Sequence, residues 1–112
     1  MRLLPDILAE RREPARVELE LRVPAGLACF EGHFPGLPIL PGVVQIDWAV
    51  RFARERLAFS EAFSAAENLK FLSIVRPDAC LKLTLSLAQD RVSFDYSDEK
   101  RKYSSGTLVF GA

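Results

Sequence analysis

Residues 16–23 alternate strictly. Val17, Leu19, Leu21 and Val23 fall on one side, and Glu18, Glu20 and Arg22 on the other. That period of two is the signature of a half-buried strand, and Pro24-Ala25-Gly26 ends it. Upstream, Leu4, Ile7 and Leu8 share a helical face and Pro5 suits a first turn, so residues 3–12 are expected to form a short helix. The charge cluster Glu10-Arg11-Arg12-Glu13 closes it before Pro14. Residues 27–41 hold Gly32, Pro35, Gly36, Pro38 and Pro41, a density of breakers that predicts a long structured loop. From Gly42 to about Phe59 the breakers vanish, and Val43, Ile46, Val50, Ala53 and Leu57 recur at helical spacing.

The rest of the chain reads as strand. Leu69 to Val75 is one apolar run, and Arg76-Pro77-Asp78 is a turn. Leu81, Leu83, Leu85 and Leu87 alternate with polar residues, as do Val92, Phe94 and Tyr96. Residues 97–102 form a charged hairpin connection before a last strand from Tyr103 to Phe110. The sum is one strand, one long apolar helix and four strands: an α+β fold in which an antiparallel sheet curls around a single helix. Residues 1–112 read as one domain, since no repeat or linker interrupts them. One face and one edge of the sheet would stay open, which predicts self-association.

Composition narrows the function. Fifteen basic and fifteen acidic residues cancel, which argues against nucleic acid as a partner. Leu3-Leu4 is cut short by Pro5-Asp6, too brief for a signal-peptide core, and no apolar run approaches a membrane span. A cytoplasmic protein with no membrane insertion is expected, its two cysteines, Cys29 and Cys80, reduced. One histidine and two scattered cysteines leave no zinc spacing, so no metal site is expected.

The candidate chemistry lies between residues 33 and 47. His33, the only histidine, sits in Gly32-His33-Phe34-Pro35-Gly36, and it can exchange a proton near neutral pH. Asp47 lies among Val43, Val44, Ile46, Ala49 and Val50, all expected to be buried; an acid there needs a partner or a use. Arg51, one turn on, is at ion-pair spacing, so a structural Asp47–Arg51 pair competes with a functional Asp47. A helix starting at Pro41-Gly42 would leave its first N–H groups unpaired at the positive end of the helix dipole. Glycine would let a ligand approach them closely, and an oxyanion could be held there.

The stretch His33-Phe34-Pro35-Gly36-Leu37-Pro38-Ile39-Leu40-Pro41-Gly42, followed by Asp47, resembles the active-site segment of the 3-hydroxyacyl-[acyl-carrier-protein] dehydratases. With Phe30-Glu31-Gly32 before it and Gln45-Ile46-Asp47-Trp48-Ala49 within it, the segment is most similar to the small thioester dehydratases of aryl-polyene clusters. The resemblance covers roughly residues 30–50. It implies a hot-dog fold and dehydration of 3-hydroxyacyl thioesters to trans-2-enoyl thioesters, in fatty acid or polyene-type biosynthesis. It implies His33 as the base that removes the α-proton, Asp47 of a partner subunit as the group that binds the 3-hydroxyl, and the Gly42 N–H as holder of the thioester oxygen. Phe34, Val43 and Ile46 would line the acyl tunnel, and a cis peptide would fall at His33-Phe34. No cofactor is implied beyond the phosphopantetheine that carries the substrate, on an acyl carrier protein or coenzyme A. The assembly implied is a homodimer or higher homo-oligomer, or a heterodimer with a related subunit.

Two departures stand out. Arg51 occupies the place where many relatives carry glutamine, and the segment before His33 is shorter than in housekeeping dehydratases. Either Arg51 points to the surface, or Asp47 works as a charged acceptor while protonated His33 returns the proton to the leaving hydroxyl. Arg51, Arg54, Arg56, Lys70 and Arg76 are candidate cations for an acidic carrier. A hot-dog thioesterase, a non-catalytic acyl-binding partner subunit, and isomerisation after dehydration are the alternative readings.

Overall fold

A computed structural model describes residues 2–30, 38–57 and 61–111. Among these residues the sheet has six strands: β1 (Asp6–Glu13), β2 (Arg16–Arg22), β3 (Phe63–Phe71), β4 (Cys80–Ala88), β5 (Arg91–Ser97) and β6 (Lys102–Phe110). They are ordered β1-β2-β4-β5-β6-β3, with every neighbouring pair antiparallel. The helix α1 (Gly42–Arg56) packs against this sheet, and a 3₁₀ turn covers Ala28–Phe30.

The alternating patterns decide which face packs. Val17, Leu19 and Leu21 of β2, Leu81, Leu83 and Leu85 of β4, and Val92, Phe94 and Tyr96 of β5 are all buried. The cross-strand register sets Leu19 opposite Leu83 and Leu83 opposite Tyr96, so one continuous apolar face runs across the sheet. Trp48, Ala49, Phe52 and Ala53 of α1 complete the core from the helix side. Full burial of each large side chain in it contributes about 1.5–3 kcal/mol. The Trp48 indole N–H donates to the Leu3 carbonyl at 2.9 Å, tying the N-terminal segment to the helix.

Three expectations are corrected. Residues 3–12 do not form a helix: Asp6–Glu13 is an edge strand joined to β2 through Pro14-Ala15. The apolar stripe of such a helix would have found no surface to cover it, whereas β2 offers unpaired backbone groups. Ile7 and Leu8 consequently stay exposed. The apolar run from Leu69 to Val75 is not one strand. β3 begins earlier, at Phe63, and ends at Phe71, after which Leu72 and Ile74 are exposed and Val75 is buried. Finally, α1 ends at Arg56, where the Leu57 N–H bonds back to the Ala53 carbonyl; its expected last residue, Phe59, lies outside the described residues.

Candidate active site

Helix α1 begins directly at Gly42, with Pro41 in extended backbone before it and no side-chain cap. Val44 and Gln45 N–H groups bond to the Pro41 carbonyl. The amides of Gly42 and Val43 make no backbone hydrogen bond among the described residues. Both amides lie at the positive end of the helix dipole, where the first N–H groups of a helix have no intrahelical partner.

The surroundings of Gly42 are crowded on one side. A Cβ there would lie 2.7 Å from Cε1 and 2.8 Å from Cζ of Phe71, so the ring at the end of β3 occupies the space a side chain would take. Phe71 itself is half exposed. The start of the helix thus has an aromatic wall beside its first amides.

Asp47 is on the outward face of α1 and is exposed, contrary to the buried setting expected for it. Its neighbours explain the difference. Of the five apolar residues expected to bury it, only Ala49 is buried; Val43 is exposed, and Val44, Ile46 and Val50 are half-buried. The sheet covers one side of α1, and the apolar residues on the other side remain at the surface. Asp47 shares a concavity of about 350 Å³ with Val50, Arg51, Arg54 and Glu55. No Asp47–Arg51 ion pair forms, and among the described residues Asp47 has no ion-pair partner. The structural-pair reading of Asp47 is overturned.

His33 and Phe34 lie outside the described residues, together with the His33-Phe34 peptide. Of the candidate residues, Gly42, Val43, Ile46 and Asp47 are placed, all within the first half of α1. A larger concavity of about 570 Å³, lined by Leu8, Leu21, Cys80, Lys82 and Asp98 among others, contains none of them. Both cysteines are free, and no group of metal-ligating side chains forms among the described residues.

The cation set is also divided. Arg56 pairs with Glu10 at 3.1 Å and Glu55 at 3.0 Å and lies over the Phe52 ring at 5.0 Å. It belongs to the end of the helix and is not a free docking cation. Arg51, Arg54, Lys70 and Arg76 are exposed.

Sequence reasoning passed over a buried polar cluster beneath this helix start. Gln45 is 3% exposed. Its amide N–H donates to the Leu40 carbonyl at 3.1 Å, and its amide oxygen accepts from the Ser104 hydroxyl at 2.6 Å. The Tyr96 hydroxyl donates to the Gln45 backbone carbonyl at 2.6 Å. Burial, with a smaller contribution from the charge of Asp47, pushes the Tyr96 phenol well above its ordinary pKa and holds it protonated as a donor. The available signal was a glutamine on the apolar half of the helix and a tyrosine on the inward side of β5.

This frame agrees with known proteins. The pattern of the ApeI-like family, described as ApeI dehydratase, matches residues 9–107. The chain belongs to the ApeI-like dehydratase family. Its backbone is similar to that of "The Dehydratase Heterocomplex ApeI:P from Xenorhabdus doucetiae", with a TM-score of 0.91 and 29% identity over 97% of this chain and 99% of that one. An uncharacterized protein from Erwinia carotovora subsp. atroseptica is similar too, with a TM-score of 0.84 and 34% identity over 96% of each chain. The hot-dog fold of the ApeI-like proteins is therefore the fold seen here. Among curated relatives, the 3-hydroxyacyl-[acyl-carrier-protein] dehydratase FabZ of Novosphingobium aromaticivorans is 34% identical over 98 residues, covering 80% of this chain and 62% of the relative. The FabZ of Lactiplantibacillus plantarum is 38% identical over 69 residues, 55% of this chain and 47% of the relative. The chain spans about half to two-thirds of the length of these FabZ relatives.

Proposed function

We propose that this protein is a hydro-lyase that converts 3-hydroxyacyl thioesters into trans-2-enoyl thioesters. The observation that carries the reading is the placement, on one helix of an ApeI-like frame, of Gly42 and Val43 amides that make no backbone hydrogen bond among the described residues and of an exposed Asp47 that has no ion-pair partner among them. In this reading His33 takes the proton α to the thioester as the C–H bond breaks. The Gly42 N–H stabilises negative charge growing on the thioester oxygen. Asp47 holds the 3-hydroxyl, the C–O bond breaks, and the hydroxyl leaves as water with the proton that His33 returns.

Asp47 faces outward, so a second subunit seated on that side would supply the opposing His33 and exclude water. Exposed Val43, Leu69, Phe71, Leu72 and Ile74 provide apolar surface for such a contact. A homodimer or higher homo-oligomer fits this surface, and a related subunit could take the second place. Phe34, Val43 and Ile46 would then border the acyl chain. The substrate would ride on the phosphopantetheine arm of an acyl carrier protein or of coenzyme A, with no other cofactor. Arg51, Arg54, Lys70 and Arg76 are the exposed cations available to an acidic carrier. No described helix is long and apolar enough to cross a membrane; we place the enzyme in the cytoplasm, where such carriers work.

The test is mass spectrometry of a carrier-bound 3-hydroxyacyl substrate. Loss of one water by the wild type, and none by His33→Ala or Asp47→Asn, is the expected result. Release of free thiol without enoyl product would assign a thioesterase instead.

A further inference from the structure

We infer that Gln45 is a positioning residue that sets the Gly42 amide at the helix start. The inference rests on the dehydratase reading only for its kinetic readout. Leu40 is held at both of its peptide groups: its N–H donates to the Val75 carbonyl at 2.8 Å, and its carbonyl accepts from the Gln45 side chain at 3.1 Å. Leu40 is two residues before Gly42, with only the stiff Pro41 between them. Proline fixes φ at Pro41, and its carbonyl accepts from the Val44 and Gln45 N–H groups, so holding the Leu40 carbonyl references the Gly42 N–H to the peptide before it.

Gln45 is in turn anchored from two strands. Ser104 of β6 donates to its side-chain oxygen, and Tyr96 of β5 donates to its backbone carbonyl, both at 2.6 Å. The helix start is thus referenced to the sheet through one glutamine. Leu40, Tyr96 and Ser104 are themselves essentially inaccessible to solvent. In such a setting a side chain that lacks an amide N–H leaves the Leu40 carbonyl without a partner and with no water to replace it. A reaction that depends on one backbone donor is sensitive to displacement of the order of 1 Å, which can cost about 100-fold.

The experiment compares Gln45→Met with Ser104→Ala in the full-length protein. Gln45→Met is expected to lower kcat on the order of 10- to 100-fold, with KM within about twofold. It should also shift the Gly42 amide cross-peak in a ¹H–¹⁵N spectrum. Ser104→Ala removes one of the two anchors but keeps both the Tyr96 to Gln45 bond and the Gln45 to Leu40 bond; it should lower thermal stability yet leave kcat within about threefold and the Gly42 signal in place. Equal loss of kcat in both variants would mean that Gln45 is merely structural and would overturn the inference, as would an unmoved Gly42 signal in Gln45→Met.

If Gln45→Met does not fold, Gln45→Glu decides. The introduced carboxyl can still accept from Ser104, but it can donate to Leu40 only when protonated. The Gly42 signal should therefore be displaced at high pH and return toward the wild-type position as pH falls. The charged or titratable neighbours, Tyr96 on β5 and Asp47 on α1, are followed by the same titration of the wild type. A Gly42 signal that titrates no differently from wild type would reject the inference. The spectrum separates the two ideas: a wild type that forms no enoyl product defeats the dehydratase reading, while the Gly42 signal still judges Gln45.

Discussion

The ring of Phe71 lies against Gly42 so closely that a methyl group on Gly42 would sit 2.7 Å from the ring edge. Gly42→Ala therefore forces ring or helix to move. We expect kcat/KM for dehydration to fall by about 10-fold or more, in line with displacement of a backbone donor. Because Phe71 is half exposed, its ring can be removed without opening the core. Gly42→Ala combined with Phe71→Ala should recover part of the loss. No recovery in this double-mutant cycle would show that the ring is not what makes glycine necessary.

Asp47→Asn should abolish water loss while leaving stability within about 0.5 kcal/mol, because Asp47 is exposed and has no ion-pair partner among the described residues. Arg51→Gln should leave the acidic limb of the kcat/KM–pH profile where it is in wild type, since Arg51 makes no ion pair with Asp47. Displacement of that limb would mean that Arg51 reaches Asp47 during turnover.

Mixing inactive His33→Ala with inactive Asp47→Asn tests whether the site is shared between subunits. In a symmetric dimer whose sites each draw His33 from one protomer and Asp47 from the other, random re-assortment restores about a quarter of the wild-type sites. A mixture as inactive as its components after verified subunit exchange would place both residues in one chain.

Tyr96→Phe should cost about 1–2 kcal/mol at neutral pH, from loss of the hydroxyl that donates to the Gln45 carbonyl. The folded phenol is held above its ordinary pKa, chiefly by burial. Its contribution is thus full below an unfolded-state pKa of about 10 and is lost as pH rises through the folded value. Denaturant titrations should show a steeper alkaline loss of stability in wild type than in Tyr96→Phe. Parallel curves would mean that Tyr96 titrates alike in both states.

Arg54→Ala should raise KM for a carrier-bound substrate and leave KM for the matching coenzyme A thioester nearly unchanged. Arg56→Ala should instead lower the unfolding midpoint, since Arg56 is tied to Glu10, Glu55 and the Phe52 ring. A carrier-specific KM effect in Arg56→Ala would return that residue to the docking set.

Most of the architecture was legible because period-two patterns leave little freedom. A one-residue slip in β2, β4 or β5 would turn Leu19, Leu83 or Phe94 toward solvent. The helix start was legible for a similar reason, since Pro41-Gly42 stops one kind of backbone and begins another. Residues 6–13 were misread because Leu4, Ile7 and Leu8 have helical spacing, and nothing local records that β2 needs a partner. The length of β3 was misjudged because its first half, Phe63 to Asn68, is poor in apolar alternation and is held by pairing with β6.

The candidate site divides in the same way. That Gly42 opens a helix and Asp47 lies on it was legible from the spacing. Their setting was not, because the exposure of Asp47 depends on which side of α1 the sheet covers. Gln45, Tyr96 and Ser104 come from three elements that meet only in the fold, and no local pattern announces a contact across 59 residues. By itself the sequence determined the alternating faces, the helix entry and the residue types at the site, since these follow from backbone period and side-chain chemistry. Tertiary structure decided which polar groups are buried against one another and which face outward. Burial and hydrogen bonding between distant segments exist only once the chain has closed on itself.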